Sequence, residues 1–545
     1  MICRIAATFV SLLGASLGMF LIGCGYSSSL PGTGASSVPP QGSIEHIVVI
    51  FQENVSFDHY FGTYPNALNL SGETRFTPLP GTPAVDGLSP SLLLHNPNAT
   101  NALNGAGATN PFRLSPSNAA TADQNHGYNA EQWTFHAGAM DLFPLTVGAA
   151  DSPNLGSGVA ATTGLTMGYY DGNTVTAIWN YAQQYAMSDR FFGTTFGPSV
   201  LGAINLISGQ TNGAVDDGNA AGFLVPDGYG GYTLVNNPDP ITEICGTPST
   251  PLVHMTGKNV GDLLNQAGIT WGFFAEGFDM TATNSNGTTG CQRSNRSDVT
   301  GQTRYDYTPF LDPFQFYPST VNPTHTRPAS VQMIGHAMDT STNHQYDIHD
   351  FFDALTAGNF PAVSFLKSAA YRDGHAGYSD PLDEQAFLVH TINTIEQTPE
   401  WGKTVIILTY DDSDGWYDHV SNVINGSTST SESFSGSGKC GDGTTALPGV
   451  NPGALHAQGR CGYGPRLPLL MISPWAKTNY VSHTVTDQSS VLRFIEDTFL
   501  KQERIGQGSY DAIAGSLTDM LNFSEPPQSG AVVLLDVATG QVKKP

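Results

Sequence analysis

The sequence predicts an α/β fold in which a mostly parallel sheet is covered by helices on both faces. Short runs rich in Val, Ile and Leu recur along the chain, and longer helical patterns lie between them. Strands that alternate with helices are typical of parallel sheets, whose two faces are both buried. Polar clusters follow several of the apolar runs directly, and ligands of such sheets bind beyond the carboxyl ends of the strands.

The predicted strands are five apolar runs at residues 44–51, 269–274, 362–366, 405–410 and 467–472. The predicted helices lie at residues 174–186, 383–396 and 488–500, the last with Thr486 or Asp487 as its N-cap. The intervals 64–125, 211–260 and 421–460 are rich in Gly, Asn, Ser and Pro and are expected to be long loop insertions. We therefore expect one large domain over residues 44–525, with a C-terminal tail at 526–545.

The first 23 residues have the features of a lipoprotein signal peptide. Arg4 provides a positive charge, an apolar stretch follows, and it ends at Leu21-Ile22-Gly23-Cys24, which resembles a bacterial lipobox with Cys24 as the lipidated residue. A plain signal peptide with an incidental cysteine is the alternative. Residues 24–43 are rich in Ser, Gly and Pro and are expected to be a tether. The expected location is the periplasm or cell surface, or outside the cell, with membrane contact only through the lipid anchor.

The charge balance limits the partners. The chain has 46 Asp and Glu against 21 Lys and Arg, a formal net charge of −25. Such a chain repels nucleic acids and anionic lipid surfaces, so no nucleic-acid partner is expected. A phosphate-ester substrate remains compatible with this charge, because a bound divalent cation reverses the field locally.

Four cysteines remain after the leader and Cys24, and an even number in an exported chain suggests two disulfides. Local pairing of Cys245 with Cys291 and of Cys440 with Cys461 is the simplest of the three connectivities. No CxxC spacing is present, which argues against a zinc site.

Three polar clusters could carry chemistry. Glu53 and Asn54 follow the first strand, and Asp411 and Asp412 follow the strand at 405–410, so both pairs offer hard oxygen ligands for a divalent cation. Ser199 follows a Gly-Pro turn and stands at the expected N-cap of an apolar helix, where a phosphoryl group would meet backbone N–H groups. Each cluster alone also fits a turn or a helix cap.

Two histidines lie in polar, Gly-rich loops. His126 is in the segment DQNHGY and His375 is in YRDGHAGY, where either could bind phosphate oxygens or protonate a leaving alkoxide. A lone loop histidine is otherwise solvent-exposed.

Taken together, these segments resemble the bacterial phosphoesterase family of secreted phospholipases C and related acid phosphatases. The resemblance rests on IVVIFQENVSFDHYFGTYP, DQNHGYNAEQ, MSDRFFGTTFGPSVLGAINLISG, DGHAGYSDPLDEQ, VIILTYDDSDGWYDHV and GYGPRLPLLMISPWAKTNYVSH, which appear in family order over residues 44–500. It implies an alkaline-phosphatase-like α/β/α sandwich and a divalent-metal site held by Glu53, Asn54, Ser199, Asp411 and Asp412, with the identity and number of the metal ions left open. Ser199 would also be the nucleophile, and His126 and His375 would contact the phosphate.

Two positions depart from the family pattern. The acidic pair is commonly Asp-Glu in relatives and is Asp411-Asp412 here. Relatives also carry a histidine where this chain has Leu311, and His325 or His344 are the candidates to replace it.

The resemblance implies a hydrolase in which Ser199 attacks the phosphorus and His375 protonates the leaving group. The substrate would be a phosphomonoester or a phospholipid. A surface lipoprotein that binds a ligand without catalysis is the alternative, and the absence of a histidine at Leu311 favours it.

Overall fold

The computed structural model describes residues 38–40, 42–148, 163–226, 232–247, 249–339, 341–420, 463–527 and 532–543. Its largest sheet has eight strands: β1 (His46–Gln52), β2 (Ala186–Ser188), β3 (Trp271–Ala275), β4 (Gln345–Asp347), β5 (Val363–Lys367), β6 (Thr404–Tyr410), β7 (Leu469–Ile472) and β8 (Tyr480–Ser482). Their order is β4-β3-β5-β1-β6-β7-β2-β8, and β7 alone is antiparallel to both of its neighbours. The predicted mostly parallel sheet is confirmed, and each of the five predicted runs forms a strand.

The described α-helices are α1 (Phe57–Phe61), α2 (Pro90–Leu94), α3 (Pro97–Thr100), α4 (Tyr128–Phe135), α5 (Phe143–Thr146), α6 (Thr176–Gln184), α7 (Ser199–Ser208), α8 (Val260–Ala267), α9 (Ile348–Thr356), α10 (Pro381–Glu396) and α11 (Gln488–Phe499). The three predicted helices correspond to α6, α10 and α11, and Asp487 is the N-cap of α11.

Helices cover both faces of the sheet. Consecutive side chains of a strand point to opposite faces, and on β3 the ring of Phe273 packs against Phe314 whereas the ring of Phe274 packs against Phe351 of α9. The turn that contains Phe314 contacts α7, and α7 contacts α8 and α11, while α6 contacts α10. The three-layer α/β/α arrangement is therefore present.

The interval 211–260 was predicted to be a long loop insertion, but it contains a second sheet. Its five strands run in the order Leu224–Pro226, Tyr232–Leu234, Asn212–Gly218, Leu252–Met255, Asp239–Pro240. Its strands have two to seven residues, and the longest reads NGAVDDG, so no apolar run marks them in the sequence. Short two-stranded pairs also join Phe112–Arg113 to Gly168–Tyr169, Phe191–Phe192 to Thr486–Asp487, and Ser294–Arg296 to Thr303–Tyr305.

The C-terminal segment packs against α10. Leu535 is fully buried, and its backbone N–H donates to the side chain of Asn393 while its carbonyl accepts from the same amide. Among the described helices, none is long and apolar enough to cross a membrane.

One of the two predicted disulfides is present, and the other predictions for cysteines concern residues outside the described part of the chain. Cys245 and Cys291 are bonded to each other. Cys24, Cys440, Cys461, the leader and the interval 421–460 lie outside the described residues.

Candidate active site

The sheet register brings the two predicted acidic clusters together. Strands β1 and β6 are parallel neighbours in which Gln52 pairs with Tyr410, so Glu53 and Asp411 follow side by side at the same edge. The backbone N–H of Asp411 donates to the Gln52 carbonyl, and the Asn54 N–H donates to Asp411 Oδ1 at 3.0 Å. Glu53, Asp411 and Asp412 are all at most 3 % exposed. The carboxyl edge of the sheet is therefore a buried carboxylate cluster.

Ser199 lies against this cluster as the first residue of α7. Its Oγ is 3.3 Å from Glu53 Oε2 and 3.3 Å from Asp412 Oδ2, close enough to donate to either carboxylate. The helix follows Pro198, which is its N-cap, and Gly197, whose φ of 107° lies in the left-handed region that glycine tolerates. The Gly-Pro turn thus delivers Ser199 to the ends of β1 and β6 with the N-terminus of α7 behind it.

Asn54 links the cluster to one of the predicted histidines. Its hydrogen bonds are satisfied when Nδ2 faces Glu53 Oε2 (2.9 Å) and Asp411 Oδ1 (3.1 Å) and Oδ1 accepts from His375 Nε2 at 3.0 Å. A cation placed among these carboxylates would require the opposite orientation, with Oδ1 turned towards it.

The two predicted histidines face each other across the site. Their ring centroids are 5.9 Å apart. His375 Nδ1 faces the Ala376 carbonyl, so Nε2 is left to donate towards the cluster. His126 Nδ1 lies 2.9 Å from the Gln124 carbonyl and 3.2 Å from Asp414 Oδ1. Burial lowers the pKa of His126, but the nearby Asp412, Asp414 and Asp123 carboxylates outweigh it and raise the pKa well above its usual value.

Two further acids join the site without having been predicted. Asp414, in the same loop as Asp411, is fully buried, and its Oδ2 has no hydrogen-bond partner among the described residues. Glu131 of α4 accepts from the Gly197 N–H at 2.7 Å and from Ser413 Oγ at 2.6 Å, so it ties the Ser199 loop to the Asp412 loop. Both lie within segments that carry the family resemblance, which is the signal that could have identified them.

Lys367 is the one cation that contacts the carboxylate cluster in the described part of the chain. It ends β5, is 3 % exposed, and its Nζ forms an ion pair with Glu53 Oε1. Burial lowers the pKa of Lys367, but the charges of Glu53, Asp373 and Asp411 raise it above its usual value. The sequence signal was its place at the end of a predicted strand.

Leu311 lies beside Lys367, and neither proposed replacement for the family histidine reaches the site. Leu311 and Lys367 line the same small cavity. The ring of His325 stacks on Phe278 and is hydrogen-bonded to Glu243. The ring of His344 stacks on Trp271 and is hydrogen-bonded to the Trp271 carbonyl. Both histidines are thus parts of the protein core, and the charged residues that line the cavity beside Leu311 are Lys367, Glu276 and Asp306.

The electrostatics of the cluster favour a bound cation. Burial, together with the charges of Glu53 and Asp412, raises the pKa of Asp411 well above its usual value, and burial raises that of Asp412. The pKa of Glu53 is lowered instead, because the charges of Lys367 and His375 outweigh the effect of burial. The pKa values of Asp411 and Asp412 thus stay raised despite the nearby Lys367 and histidines, and Asp411 Oδ2 has no hydrogen-bond partner among the described residues.

The donor atoms fit a hard divalent cation. Carboxylate oxygens, an amide oxygen and a hydroxyl are the ligands that such ions prefer. These residues are Glu53, Asn54, Ser199, Asp411 and Asp412. Ligand atoms of His126, His375 and Asp414 also lie within 4.8 Å of one another beside this set.

Comparisons with known proteins assign the chain to a family. The chain matches the family model described as "Phosphoesterase family" over residues 44–500, and it belongs to that family. It is 24 % identical over 495 residues to a non-hemolytic phospholipase C of Pseudomonas aeruginosa, covering 89 % of this chain and 58 % of that protein. It is 24 % identical over 498 residues to phospholipase C A of Mycobacterium tuberculosis, covering 89 % of this chain and 78 % of that protein.

Solved structures show weaker likeness. A protein of the alkaline phosphatase superfamily from Vibrio parahaemolyticus aligns with 76 % of this chain and 77 % of its own, at 11 % identity and a TM-score of 0.27. The family assignment therefore rests on the family model, and the α/β/α fold rests on the sheet described above.

Proposed function

We propose that this protein is a metal-dependent hydrolase of phosphate esters with Ser199 as its nucleophile. The observation that carries the proposal is the position of Ser199 Oγ, 3.3 Å from both Glu53 Oε2 and Asp412 Oδ2 at the start of α7. Membership of the phosphoesterase family and the similarity to phospholipases C support the reaction class.

A divalent cation held by Glu53, Asn54, Ser199, Asp411 and Asp412 would lower the pKa of the Ser199 hydroxyl and neutralise charge on the phosphoryl oxygens. Ser199 Oγ passes its proton to the neighbouring Asp412 or Glu53 carboxylate and forms a bond to phosphorus. The phosphoryl group would lie near the N-terminus of α7, where the helix dipole favours negative charge.

The histidines complete the proposed reaction. The bond between phosphorus and the alcohol oxygen breaks, and His375 Nε2 supplies the proton that the departing alkoxide takes up. His126, with its pKa raised by the surrounding Asp412, Asp414 and Asp123, is a cationic contact for a phosphoryl oxygen. In the second step His375 accepts a proton from water, the water oxygen bonds to phosphorus and the bond from phosphorus to Ser199 Oγ breaks. Ser199 Oγ then regains its proton from the carboxyl that had accepted it.

The substrate and location extend the same proposal. The substrate is a phosphate ester, either a monoester or a phospholipid, as the names of the relatives suggest. The protein is exported and held at the membrane through a lipid on Cys24. The disulfide between Cys245 and Cys291 supports an oxidising compartment.

The central test is Ser199→Ala, with Ser91→Ala on α2 as a control because Ser91 is exposed. We expect Ser199→Ala to lower kcat for 4-nitrophenyl phosphate by at least about 10³-fold, since the nucleophile is removed. Ser91→Ala should keep wild-type kcat. A Ser199→Ala protein that turns over at the wild-type rate would remove Ser199 from this role.

Metal analysis separates catalysis from the alternative of a non-catalytic binding protein. We expect the purified protein to retain a divalent cation and to lose phosphatase activity after chelation, with recovery on adding the metal back. A protein that retains no cation and hydrolyses neither monoesters nor phosphatidylcholine would favour the ligand-binding lipoprotein.

A further inference from the structure

A second cavity adjoins the catalytic site. Its volume is about 330 Å³, at the lower end of the range for small-molecule pockets. Two segments supply most of its wall, one within 237–250 and the other within 304–310, and Tyr378 closes a third side.

This cavity shares two walls with the catalytic residues. The ring of Tyr378 is stacked on the ring of His375, with centroids 4.3 Å apart and planes 23° from parallel. On the other side, Asn237 Oδ1 accepts from the backbone N–H of Val200, the residue after Ser199, at 3.0 Å. A group attached to the oxygen that His375 protonates would therefore lie towards this cavity.

The walls are braced against each other. The Cys245–Cys291 disulfide ties the 237–250 segment to the residues that precede the 304–310 segment. Tyr307 Oη donates to Glu243 Oε2 at 3.1 Å, and His325 is bonded to Glu243 Oε1 at 2.8 Å. The cavity is thus formed before any ligand arrives, which lowers the entropic cost of binding.

The lining offers ring faces and a positive charge. Besides Tyr378, whose ring contacts both His375 and the Arg304 guanidinium, the lining contains the rings of Tyr305, Tyr307 and Phe310. The Arg304 guanidinium lies 4.7 Å above the Tyr378 ring and forms no ion pair with any carboxylate in the described residues. Asp239, the carboxylate in this lining, is 4 % exposed and its Oδ2 accepts from the Thr247 N–H.

We propose that this cavity binds the alcohol part of the substrate and selects alcohols that carry an aromatic or sugar ring without positive charge. The inference rests on the proposed phosphoester hydrolysis. Ring faces stack on flat substituents, and the unpaired Arg304 charge disfavours cationic alcohols such as choline or ethanolamine. Open-chain alcohols such as glycerol would leave the rings uncovered.

The test compares two inhibitors that cannot be hydrolysed, phenylphosphonate and methylphosphonate, by calorimetry on the full-length protein with divalent cation present. Their phosphonate groups are alike, so the ratio of their Kd values reports the cavity and not the leaving-group chemistry. We expect wild type to bind phenylphosphonate roughly tenfold more tightly than methylphosphonate, as expected for one stacked ring.

The variants are Arg304→Ala and Tyr305→Ala, both at exposed positions, with Arg296→Ala as the control because Arg296 is exposed on the paired strand and does not line the cavity. We expect the Kd ratio to fall towards one in Tyr305→Ala and to remain at its wild-type value in Arg296→Ala. Arg304→Ala should instead reduce the preference for phenyl phosphate over phosphocholine in turnover, because the positive charge that disfavours choline is removed. Equal Kd values for both inhibitors in wild type, with 4-nitrophenyl phosphate still hydrolysed, would overturn the cavity proposal alone. If no phosphate ester is hydrolysed, the proposed function itself fails. Faster wild-type turnover of phosphocholine than of phenyl phosphate would also overturn the selectivity.

Discussion

Gly202 packs directly against the carbonyl oxygen of Asp411. A Cβ at position 202 would lie 2.1 Å from that oxygen. Because the oxygen belongs to the backbone, α7 or the chain at Asp411 would have to shift to accommodate the added carbon. Gly202 is one turn after Ser199 on α7, so this contact sets the distance between the nucleophile and the acidic cluster.

Gly202→Ala should therefore damage the site more than the fold. We expect kcat to fall by at least about tenfold and the free energy of unfolding by about 1–3 kcal/mol, because overpacking shifts α7. Gly402→Ala is the matched control, since no atom lies within 4 Å of its added Cβ and its φ is not positive. A wild-type kcat in Gly202→Ala would show that the contact between Gly202 and Asp411 does not set the position of Ser199 for catalysis.

Removing the Lys367 charge should make the cluster depend on metal for stability. In metal-free Lys367→Met, the buried acids around Glu53 lose their ammonium, and breaking such a pair costs about 3–5 kcal/mol. We expect a lower Tm than wild type in chelator and a larger rise in Tm when divalent cation is added.

Lys403→Met provides the control for Lys367→Met. Lys403 pairs with Glu45 at the surface, where both side chains are about half exposed (52 % and 48 %). Surface ion pairs of this kind contribute little to the free energy of unfolding. The Tm of Lys403→Met should therefore differ only slightly from that of wild type and show no added dependence on metal. An equal Tm for wild type and Lys367→Met in chelator would contradict the role given to Lys367.

Glu396 should produce a pH-dependent loss of stability. Burial raises its pKa from 4.5 to about 7, while Tyr185 Oη and the Val533 N–H donate to its carboxyl oxygens. A carboxyl whose folded-state pKa is raised contributes stability below its unfolded pKa, and that contribution is lost as the pH rises through the folded pKa. The relevant window is therefore pH 4.5 to about 7.

The measurement is urea unfolding of wild type and Glu396→Gln at pH 5 and pH 8. We expect the two proteins to be similar at pH 5 and the variant to be the more stable at pH 8, by about 1–3 kcal/mol. A difference that does not change with pH would show that Glu396 keeps one charge state throughout.

Loss of the Cys245–Cys291 disulfide should lower stability. The bond closes a loop with a sequence separation of 46, and disulfides over such loops contribute about 2–4 kcal/mol. We expect Cys245→Ser/Cys291→Ser to unfold at a lower Tm than wild type under oxidising conditions. Under a reductant, the difference should narrow, and a gap of the same size there would point to packing instead of the bond.

Local sequence patterns identified most of the catalytic framework. The apolar runs before Glu53 and before Asp411 predicted two buried strands, and the polar residues after them could only lie at the strand ends. The Gly-Pro turn predicted a helix start with Ser199 as its N-cap, and the helix does start here, with Pro198 as the N-cap and Ser199 as its first residue. These features depend on residues close together in the chain, so the sequence alone reveals them.

Contacts between distant segments could not be read in this way. Glu131 lies 66 residues before Gly197 and 282 residues before Ser413, and Lys367 lies 314 residues after Glu53, yet each pair is in contact. The second sheet within 211–260 was missed because its strands are short, form no long apolar run, and are stabilised by pairing with one another. His325 and His344 were open candidates for the site, and their stacking on Phe278 and Trp271 excludes them.

The sequence by itself determined the α/β class, the strand ends and the residue types that could bind a metal and a phosphoryl group. Only the tertiary structure decided which of these residues meet, that Lys367 faces the carboxylates beside Leu311, and that a ring-lined cavity adjoins His375. The physical reason is that burial and charge pairing depend on strand register and packing between segments hundreds of residues apart, which local propensity does not encode.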